Sequence, residues 1–137
     1  MTFNPFSNLE NVDFLSSIDN RGKLSAFEFH KLPFHPKRIF FISEVPSESI
    51  RGQHAHKVCE QMIFAIQGSC NIRAISDGVD VNLHLDSNSP GVYIAALTWC
   101  ELSNFDPSTV LGVFASHEYD VGDYITNFSE FIKEISK

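Results

Sequence analysis

A β-hairpin signal in the second half of the chain constrains the fold more than any other feature. Residues 79–85, VDVNLHL, alternate strictly between aliphatic and polar side chains. Such alternation is typical of an antiparallel strand with one buried face and one solvated face. A second run, CNIRAI at 70–75, precedes it, and Asp77-Gly78 between the two favours a tight hairpin turn. The sequence therefore predicts antiparallel β-structure.

Further short strands are predicted along the chain. Runs rich in aromatic and β-branched residues occupy 37–42, 61–67, 92–97 and 109–115, and turn-forming residues separate them. Many short strands with little helix indicate a sandwich or a small barrel. A barrel removes exposed strand edges and opens at a mouth that can hold a ligand. A length of 137 residues suits one domain over residues 1–137.

Only the end of the chain shows a helical pattern. Phe128, Phe131, Ile132 and Ile135 recur at the spacing of one helix face. Asn127 precedes them and is predicted to cap the helix, as in a capping box. We expect this short helix to pack on the barrel exterior or on a partner subunit, and to carry no chemistry.

The charge distribution favours a local anion site. The net charge of −7 argues against non-specific nucleic-acid binding. Eight of the ten Lys and Arg residues lie between Arg21 and Arg73, and none lies in residues 74–132. Folding can mix such blocks, but a cationic segment in an acidic chain is also what an anionic ligand requires.

Cysteine content and hydropathy predict a soluble cytoplasmic protein. The three cysteines are an odd number, and the chain starts with no signal-like segment. No apolar run approaches the roughly 20 residues of a membrane helix. Reduced, buried thiols are therefore expected.

The segment RGQHAHK at 51–57 carries the clearest functional signal. In a strand, His54 and His56 point to the same face. Arg51 and Lys57 beside them disfavour a bound cation, favour neutral imidazoles that can act as bases, and can hold an anionic substrate. Gly52 permits a bulge or a close backbone approach.

Two other interpretations of the histidine pair remain open. Cupin barrels use this spacing for metals, so a site built from His54, His56, Glu60 and Cys100 is one alternative. Two solvated histidines on an edge strand are the other.

Residues 51–78, RGQHAHKVCEQMIFAIQGSCNIRAISDG, closely resemble the core of the WxcM-like cupins. These are sugar 3,4-ketoisomerases that act on nucleotide-linked 4-keto-6-deoxyhexoses. The segments at 19–28, 32–42, 91–102 and 113–132 follow in family order, so the resemblance covers nearly the whole chain. It implies an all-β cupin, which is a jelly-roll antiparallel barrel like RmlC with a short C-terminal helix.

The resemblance also implies the reaction and the partners. The expected activity is interconversion of the 4-keto and 3-keto forms of a dTDP-linked 6-deoxyhexose through an enediol, with no metal and no other cofactor. The enzyme would serve deoxysugar biosynthesis for a surface glycan such as lipopolysaccharide O-antigen. Family members are usually homodimers with exchanged strands, so a homodimer is expected, with neither nucleic acid nor membrane as a partner.

The resemblance assigns roles to individual residues. His56 is expected to abstract the proton, and His54 to shuttle protons or polarise the oxygen. Arg21 and Arg51 match family arginines and are expected to bind phosphate or sugar. Additional pocket candidates are Lys57, Gln61, Arg73 and Trp99, although a surface position for Arg73 and a core position for Trp99 remain open. Tyr119, Asp123 and Tyr124 match a motif expected to be structural.

Two departures from the family pattern put the activity in question. The family often has Tyr where this chain has Phe40 and Phe41, and it usually has His where this chain has Cys100. Phenylalanine has no hydroxyl to relay a proton, and cysteine is not an equivalent base. We predict that Tyr at Phe41 is not needed for turnover. An epimerase acting on a related keto-sugar and a non-catalytic sugar-nucleotide-binding cupin are the alternatives.

Overall fold

The computed structural model describes residues 15–137, which form eleven strands and one α-helix. The strands are β1 (Leu15–Asp19), β2 (Gly22–Ala26), β3 (Arg38–Ser43), β4 (Arg51–His56), β5 (Gln61–Gln67), β6 (Ser69–Ser76), β7 (Val79–Asp86), β8 (Val92–Ile94), β9 (Trp99–Ser103), β10 (Val110–Ala115) and β11 (Tyr124–Ile125). The helix α1 spans Phe128–Ile135. No helix within residues 15–137 is long and apolar enough to cross a bilayer.

Two antiparallel sheets face each other around one main core. The four-stranded sheet has the order β3-β10-β5-β8, and the five-stranded sheet has the order β11-β4-β9-β6-β7. Alternate side chains of both sheets point inward and pack together, including Ile63 and Val113 from the first sheet and Ile72 and Leu102 from the second. The predicted all-β antiparallel jelly-roll architecture with a short C-terminal helix is confirmed.

The hairpin that dominated the sequence pattern forms as predicted. Strands β6 and β7 pair antiparallel from Ser69 opposite Asp86 to Ser76 opposite Val79. Leu85 is fully buried, Val81 and Leu83 pack against the core, and the polar side chains between them are exposed. The buried stripe of β7 therefore forms part of the inner wall of the barrel.

The structure contains elements that the sequence pattern did not predict. Strand β8 ends at Ile94 rather than at residue 97, because the chain turns there and Leu97 adopts a φ of 57°. The N–H of Leu97 donates to the carbonyl of His56 at 2.7 Å, which ties this turn to β4. Strands β1 and β2 form a separate two-stranded hairpin, and within residues 15–137 neither pairs with another strand.

The C-terminal helix packs on the outside of the barrel, which is one of the two predicted positions. Asn127 caps it, because its side chain accepts a hydrogen bond from the Glu130 N–H at 3.0 Å. Phe131 is fully buried against Ala55 and Trp99. The helix therefore covers the outer face of β4, opposite the face that carries the two histidines.

Candidate active site

A β-bulge in β4 determines which side chains enter the barrel. Arg51 lies opposite Leu102, Gly52 opposite Glu101 and His54 opposite Cys100, so the register shifts between Gly52 and His54. Gly52 has a φ of 81°, and a Cβ there would lie 2.7 Å from the carbonyl oxygen of Cys100. Without the extra residue, Arg51 and His54 would face opposite sides. The bulge places both on the inner face.

An inward-facing pocket of about 210 Å³ lies beside this bulge. Both sheets contribute to its wall, so it occupies the barrel interior rather than a groove on its surface. Its polar groups come from Arg51, His54, Gln61, Cys100 and Tyr124. Aliphatic side chains and the Phe40 ring complete the lining. A largely apolar pocket with a few polar groups is the usual form of a small-molecule site.

The two histidines and Tyr124 form a cluster. His54 and Tyr124 line the pocket, and His56 packs against both of them. The ring centroids of His54 and His56 are 5.1 Å apart. The Tyr124 ring lies 4.4 Å from the ring of His56 and 5.0 Å from that of His54. Strand β11 brings Tyr124 there by pairing it with His56. Tyr124 was expected to be structural, but the structure places its ring in the pocket wall.

The hydrogen bonds of both imidazoles determine their tautomers. Nδ1 of His54 lies 3.0 Å from the carbonyl oxygen of Gly52, and Nδ1 of His56 lies 3.0 Å from Oδ2 of Asp123. Both partners are acceptors, so each Nδ1 carries the hydrogen and each neutral Nε2 keeps its lone pair. Nε2 of His56 is buried without a hydrogen-bond partner in the described part of the chain. Two proton acceptors are therefore available.

Burial lowers the pKa of both histidines. For His54, burial outweighs the hydrogen bond to Gly52, and the Arg51 charge lowers the pKa further. For His56, burial again dominates; Asp123 opposes it, while His54 and the positive charge of Arg38 act in the same direction as burial. Both imidazoles are accordingly neutral at neutral pH, the form that a general base requires.

Asp123 fixes the position of His56. Its Oδ1 accepts from the Val58 N–H at 2.8 Å, and its Oδ2 accepts from the Cys59 N–H at 3.2 Å as well as from His56. Burial alone would raise the pKa of Asp123, but these hydrogen bonds outweigh burial and lower it. Asp123 thus remains a carboxylate that orients the His56 ring. Asp123 is the last residue of a 3-10 turn, Val121–Asp123, which positions its side chain.

Of the two phenylalanines that stand where the resemblance implies a tyrosine, Phe40 faces inward and Phe41 does not. Phe40 lies opposite Val113, packs against the core and lines the pocket. Phe41 lies on the outer face of the same strand and is 59% exposed. A tyrosine introduced at Phe41 would therefore not reach the pocket, and Phe40 is the position that matters for the missing hydroxyl.

Of the predicted binding residues, Arg51 and Gln61 line the pocket and the others do not. Lys57 is exposed, one residue past the end of β4. Arg21 pairs with Asp19 at 2.7 Å in the turn of the β1–β2 hairpin, outside the pocket of its own chain. Arg73 pairs with Asp80 at 2.8 Å on the outer face, which is the surface position left open by the sequence.

Trp99 occupies the core position rather than the pocket wall. It is 4% exposed, and its ring lies 5.1 Å from Phe128 and 5.7 Å from Phe131. Its Nε1 donates to Glu101 at 3.0 Å. Residues 99 and 101 face outward while Cys100 faces the pocket, so the strand alternation separates Trp99 from the histidines.

The alternative metal set of His54, His56, Glu60 and Cys100 is not brought together. Glu60 accepts a 2.5 Å hydrogen bond from the hydroxyl of Tyr93. Tyr93 belongs to β8 and lies opposite Met62 of β5, on the outer side of the sheet. Burial raises the pKa of the Cys100 thiol to about 12, so it is protonated at neutral pH. His56, Cys59 and Asp123 do lie close together, but Asp123 already holds His56 and two backbone amides.

Comparisons with known proteins identify the family of this chain. The family model described as FdtA, WxcM-like, C-terminal, matches residues 7–136. A TDP-4-oxo-6-deoxy-alpha-D-glucose-3,4-oxoisomerase from Aneurinibacillus thermoaerophilus is 37% identical over 92% of this chain and 91% of the relative. The crystal structure of QdtA, a sugar 3,4-ketoisomerase from Thermoanaerobacterium thermosaccharolyticum in complex with TDP, is 34% identical, with a TM-score of 0.86. That match covers 91% of this chain and 92% of QdtA.

A more distant structure supports the fold alone. The rmlC epimerase of Mycobacterium tuberculosis is 12% identical, with a TM-score of 0.70 over 82% of this chain and 65% of the epimerase. This likeness confirms the predicted RmlC-like barrel. The nearly full-length family match and the 37% identical relative settle the affiliation: the chain belongs to the WxcM-like family.

Proposed function

We propose that this protein is a dTDP-4-keto-6-deoxyglucose 3,4-ketoisomerase. The observation that carries the proposal is the pair of inward-facing imidazoles, both neutral and both with an Nε2 available to accept a proton. The relative from Aneurinibacillus thermoaerophilus, named a TDP-4-oxo-6-deoxy-alpha-D-glucose-3,4-oxoisomerase, and QdtA, named a sugar 3,4-ketoisomerase, support it.

The proposed chemistry is a proton transfer between adjacent carbons of the sugar. The ketone at C4 acidifies the C3 proton, and Nε2 of His56 removes it to give an enediolate, which becomes an enediol when O4 receives a proton through His54. Return of a proton to C4, with loss of the 3-hydroxyl proton, moves the carbonyl to C3. His54 relays protons between the sugar oxygens. Hydrogen is redistributed within the substrate, so this scheme uses no oxidant and no cofactor.

Arg51 and Gln61 are the proposed binding groups at the pocket. Arg51 lies on the same face as His54 and can pair with a phosphate through its planar guanidinium. Gln61 is 7% exposed and offers an amide to a sugar hydroxyl. Arg21 and Lys57 lie outside this pocket, so a binding role for either residue stays a prediction. Phe40 and Cys100 supply no acid–base group, whereas Tyr124, whose ring contacts both imidazoles, carries a hydroxyl.

Incubation with dTDP-4-keto-6-deoxyglucose in heavy water tests the proposal. An isomerase places deuterium on the ring carbons and produces the 3-keto sugar, which NMR identifies. An epimerase also incorporates deuterium but keeps the ketone at C4. Absence of both deuterium and product, with dTDP still bound in calorimetry, would make the protein a non-catalytic binder.

Replacing His56 by Asn tests the assigned base. Asn keeps a hydrogen-bonding group toward Asp123 but removes the Nε2 acceptor, so deuterium incorporation should be lost while dTDP still binds. His84→Asn is the matched control, because His84 lies on the outer face of β7 and is exposed. Full activity of the His56 variant would show that another group is the base.

Three broader expectations remain predictions. A homodimer and a cytoplasmic location follow from the family resemblance and from the cysteines, which are all buried and free. A single domain over 1–137 follows from chain length. Light scattering measures the first, cell fractionation the second, and limited proteolysis the third.

A further inference from the structure

A half-buried cation, Arg38, lies beside the histidines and has no role in the scheme above. Arg38 is the first residue of β3 and points inward, opposite the fully buried Ala115. Its guanidinium carbon lies 5.1 Å from the Phe40 ring centroid and 5.7 Å from the Tyr119 ring centroid. Because Phe40 lines the pocket and Tyr119 contacts Tyr124, Arg38 lies against the wall of the reaction site.

Within residues 15–137, this half-buried arginine has no acidic partner. Its Nε is buried without a hydrogen bond, and no carboxylate in residues 15–137 forms an ion pair with it. Arg21 and Arg73, by contrast, are exposed and paired with aspartates. Leaving a buried donor unsatisfied is unfavourable. An anion supplied by a ligand would satisfy it.

The position of Arg38 relative to His56 indicates which anion it would bind. Arg38 lies close enough for its charge to act on the His56 ring. The diphosphate of a nucleotide sugar is distant from the reacting carbons, whereas the oxygen at C4 is next to the carbon that His56 deprotonates. The Phe40 and Tyr119 rings flank the guanidinium of Arg38, and its partial burial strengthens its interaction with charge that develops during the reaction.

We propose that Arg38 is a catalytic residue that stabilises the negative charge developing on the substrate oxygen when His56 removes the C3 proton. This inference rests on the proposed ketoisomerase function. As the C3–H bond breaks, its proton goes to Nε2 of His56 and its electron pair forms the C3–C4 double bond. The π electrons of the C4 carbonyl move onto O4, and a guanidinium N–H of Arg38 donates to that oxygen.

Three variants of Arg38 separate charge from shape. Met removes both the charge and the donors, Gln keeps donors without charge, and Lys keeps the charge. We expect kcat and the C3 exchange rate in heavy water to fall at least about 100-fold in the Met and Gln variants, a typical loss for one oxyanion donor. The Lys variant should recover part of the rate. The dissociation constant of dTDP should stay within about threefold of wild type in all three, because binding of the diphosphate does not depend on Arg38.

The readouts distinguish the possible failures. A parallel loss of dTDP affinity, with kcat at saturation unchanged, would place the diphosphate at Arg38 and overturn the proposal. So would unchanged turnover in the Met and Gln variants. Circular dichroism and dTDP binding identify a variant that fails to fold. If the Met variant does not fold, the comparison of the Lys and Gln variants tests the role of the charge. Lys133→Met, an exposed charge removal on α1, controls for net charge. Failure of wild type to exchange or isomerise refutes the proposed function and this inference with it.

Discussion

At the scale of single residues, Asp123 and His56 form the pair on which the chemistry depends. The carboxylate receives the Nδ1 hydrogen of His56 together with two backbone amides, so it is held independently of the imidazole. This arrangement fixes the ring and directs the free Nε2 lone pair away from Asp123. The position of the base is thereby decided by a residue about seventy positions later in the chain, at a turn that the sequence pattern did not connect with His56.

The pH dependence of the wild-type enzyme and of Asp123→Asn tests this pair. A base acts only when neutral, and burial lowers the pKa of His56, so the acidic limb of kcat should lie below pH 6.5, the usual histidine range. Asp123 raises the His56 pKa, so its loss should move the limb to still lower pH. The maximal rate should fall about 100-fold, because the ring orientation is lost. Asp80→Asn, on the outer surface, is the control; a limb that moves upward contradicts the assignment.

At the scale of secondary-structure elements, the bulge in β4 is the decisive feature. It adds one residue between Arg51 and His54 and so turns both toward the pocket. Gly52 allows the strand to approach Cys100 closely, and Gln53 adopts a φ of 57°, a conformation unfavourable for a residue other than glycine. Such strain persists where the surrounding sheet enforces it, and here it lies beside the candidate catalytic histidine.

Substituting Gly52 by Ala tests the bulge. The new Cβ would meet the carbonyl oxygen of Cys100 at 2.7 Å and would also require a positive φ. We expect a loss of about 1–3 kcal/mol in the free energy of unfolding, together with reduced turnover, because His54 must shift. Gly22→Ala is the matched control in thermal unfolding, since Gly22 has a φ of 127° but no atom within 4 Å of the added Cβ. Equal losses for the two variants would mean that the contact with Cys100 is unimportant.

The sequence predicted some elements well because local patterns determine them. The 70–85 hairpin and the Asn127 cap depend on neighbouring residues, and both appear as expected. The site depends on pairing between distant segments, which one sequence does not reveal. Gly52 suggested a bulge, but its consequence for Arg51 follows only from the β4–β9 register. Tyr124 gave no local signal of pocket contact, and Arg38 gave none of its position beside the Phe40 ring.

At the scale of the whole molecule, the structure leaves apolar surface that supports the predicted homodimer. Ile18 and Leu24 of the β1–β2 hairpin are 74% and 64% exposed. On the outer face of the four-stranded sheet, Ile39, Phe41 and Ile66 are also exposed and line an apolar groove of about 500 Å³. Contiguous apolar surface of this kind is typical of an interaction site. The hairpin turn also carries Arg21, a predicted binding residue remote from its own pocket.

A strand-exchanged homodimer would bring Arg21 to the partner's pocket, and complementation between two inactive variants tests this arrangement. Arg21→Ala should lose substrate affinity, and His56→Asn should lose proton abstraction. In a mixed dimer, one pocket would combine an intact His56 with an intact Arg21 from the other subunit. Co-expression should then restore about a quarter of the wild-type activity, since half of the dimers are mixed and each has one complete site. Activity no higher than that of the separate variants would mean that Arg21 does not serve the partner's pocket, and light scattering on the same samples would show whether the dimer itself forms.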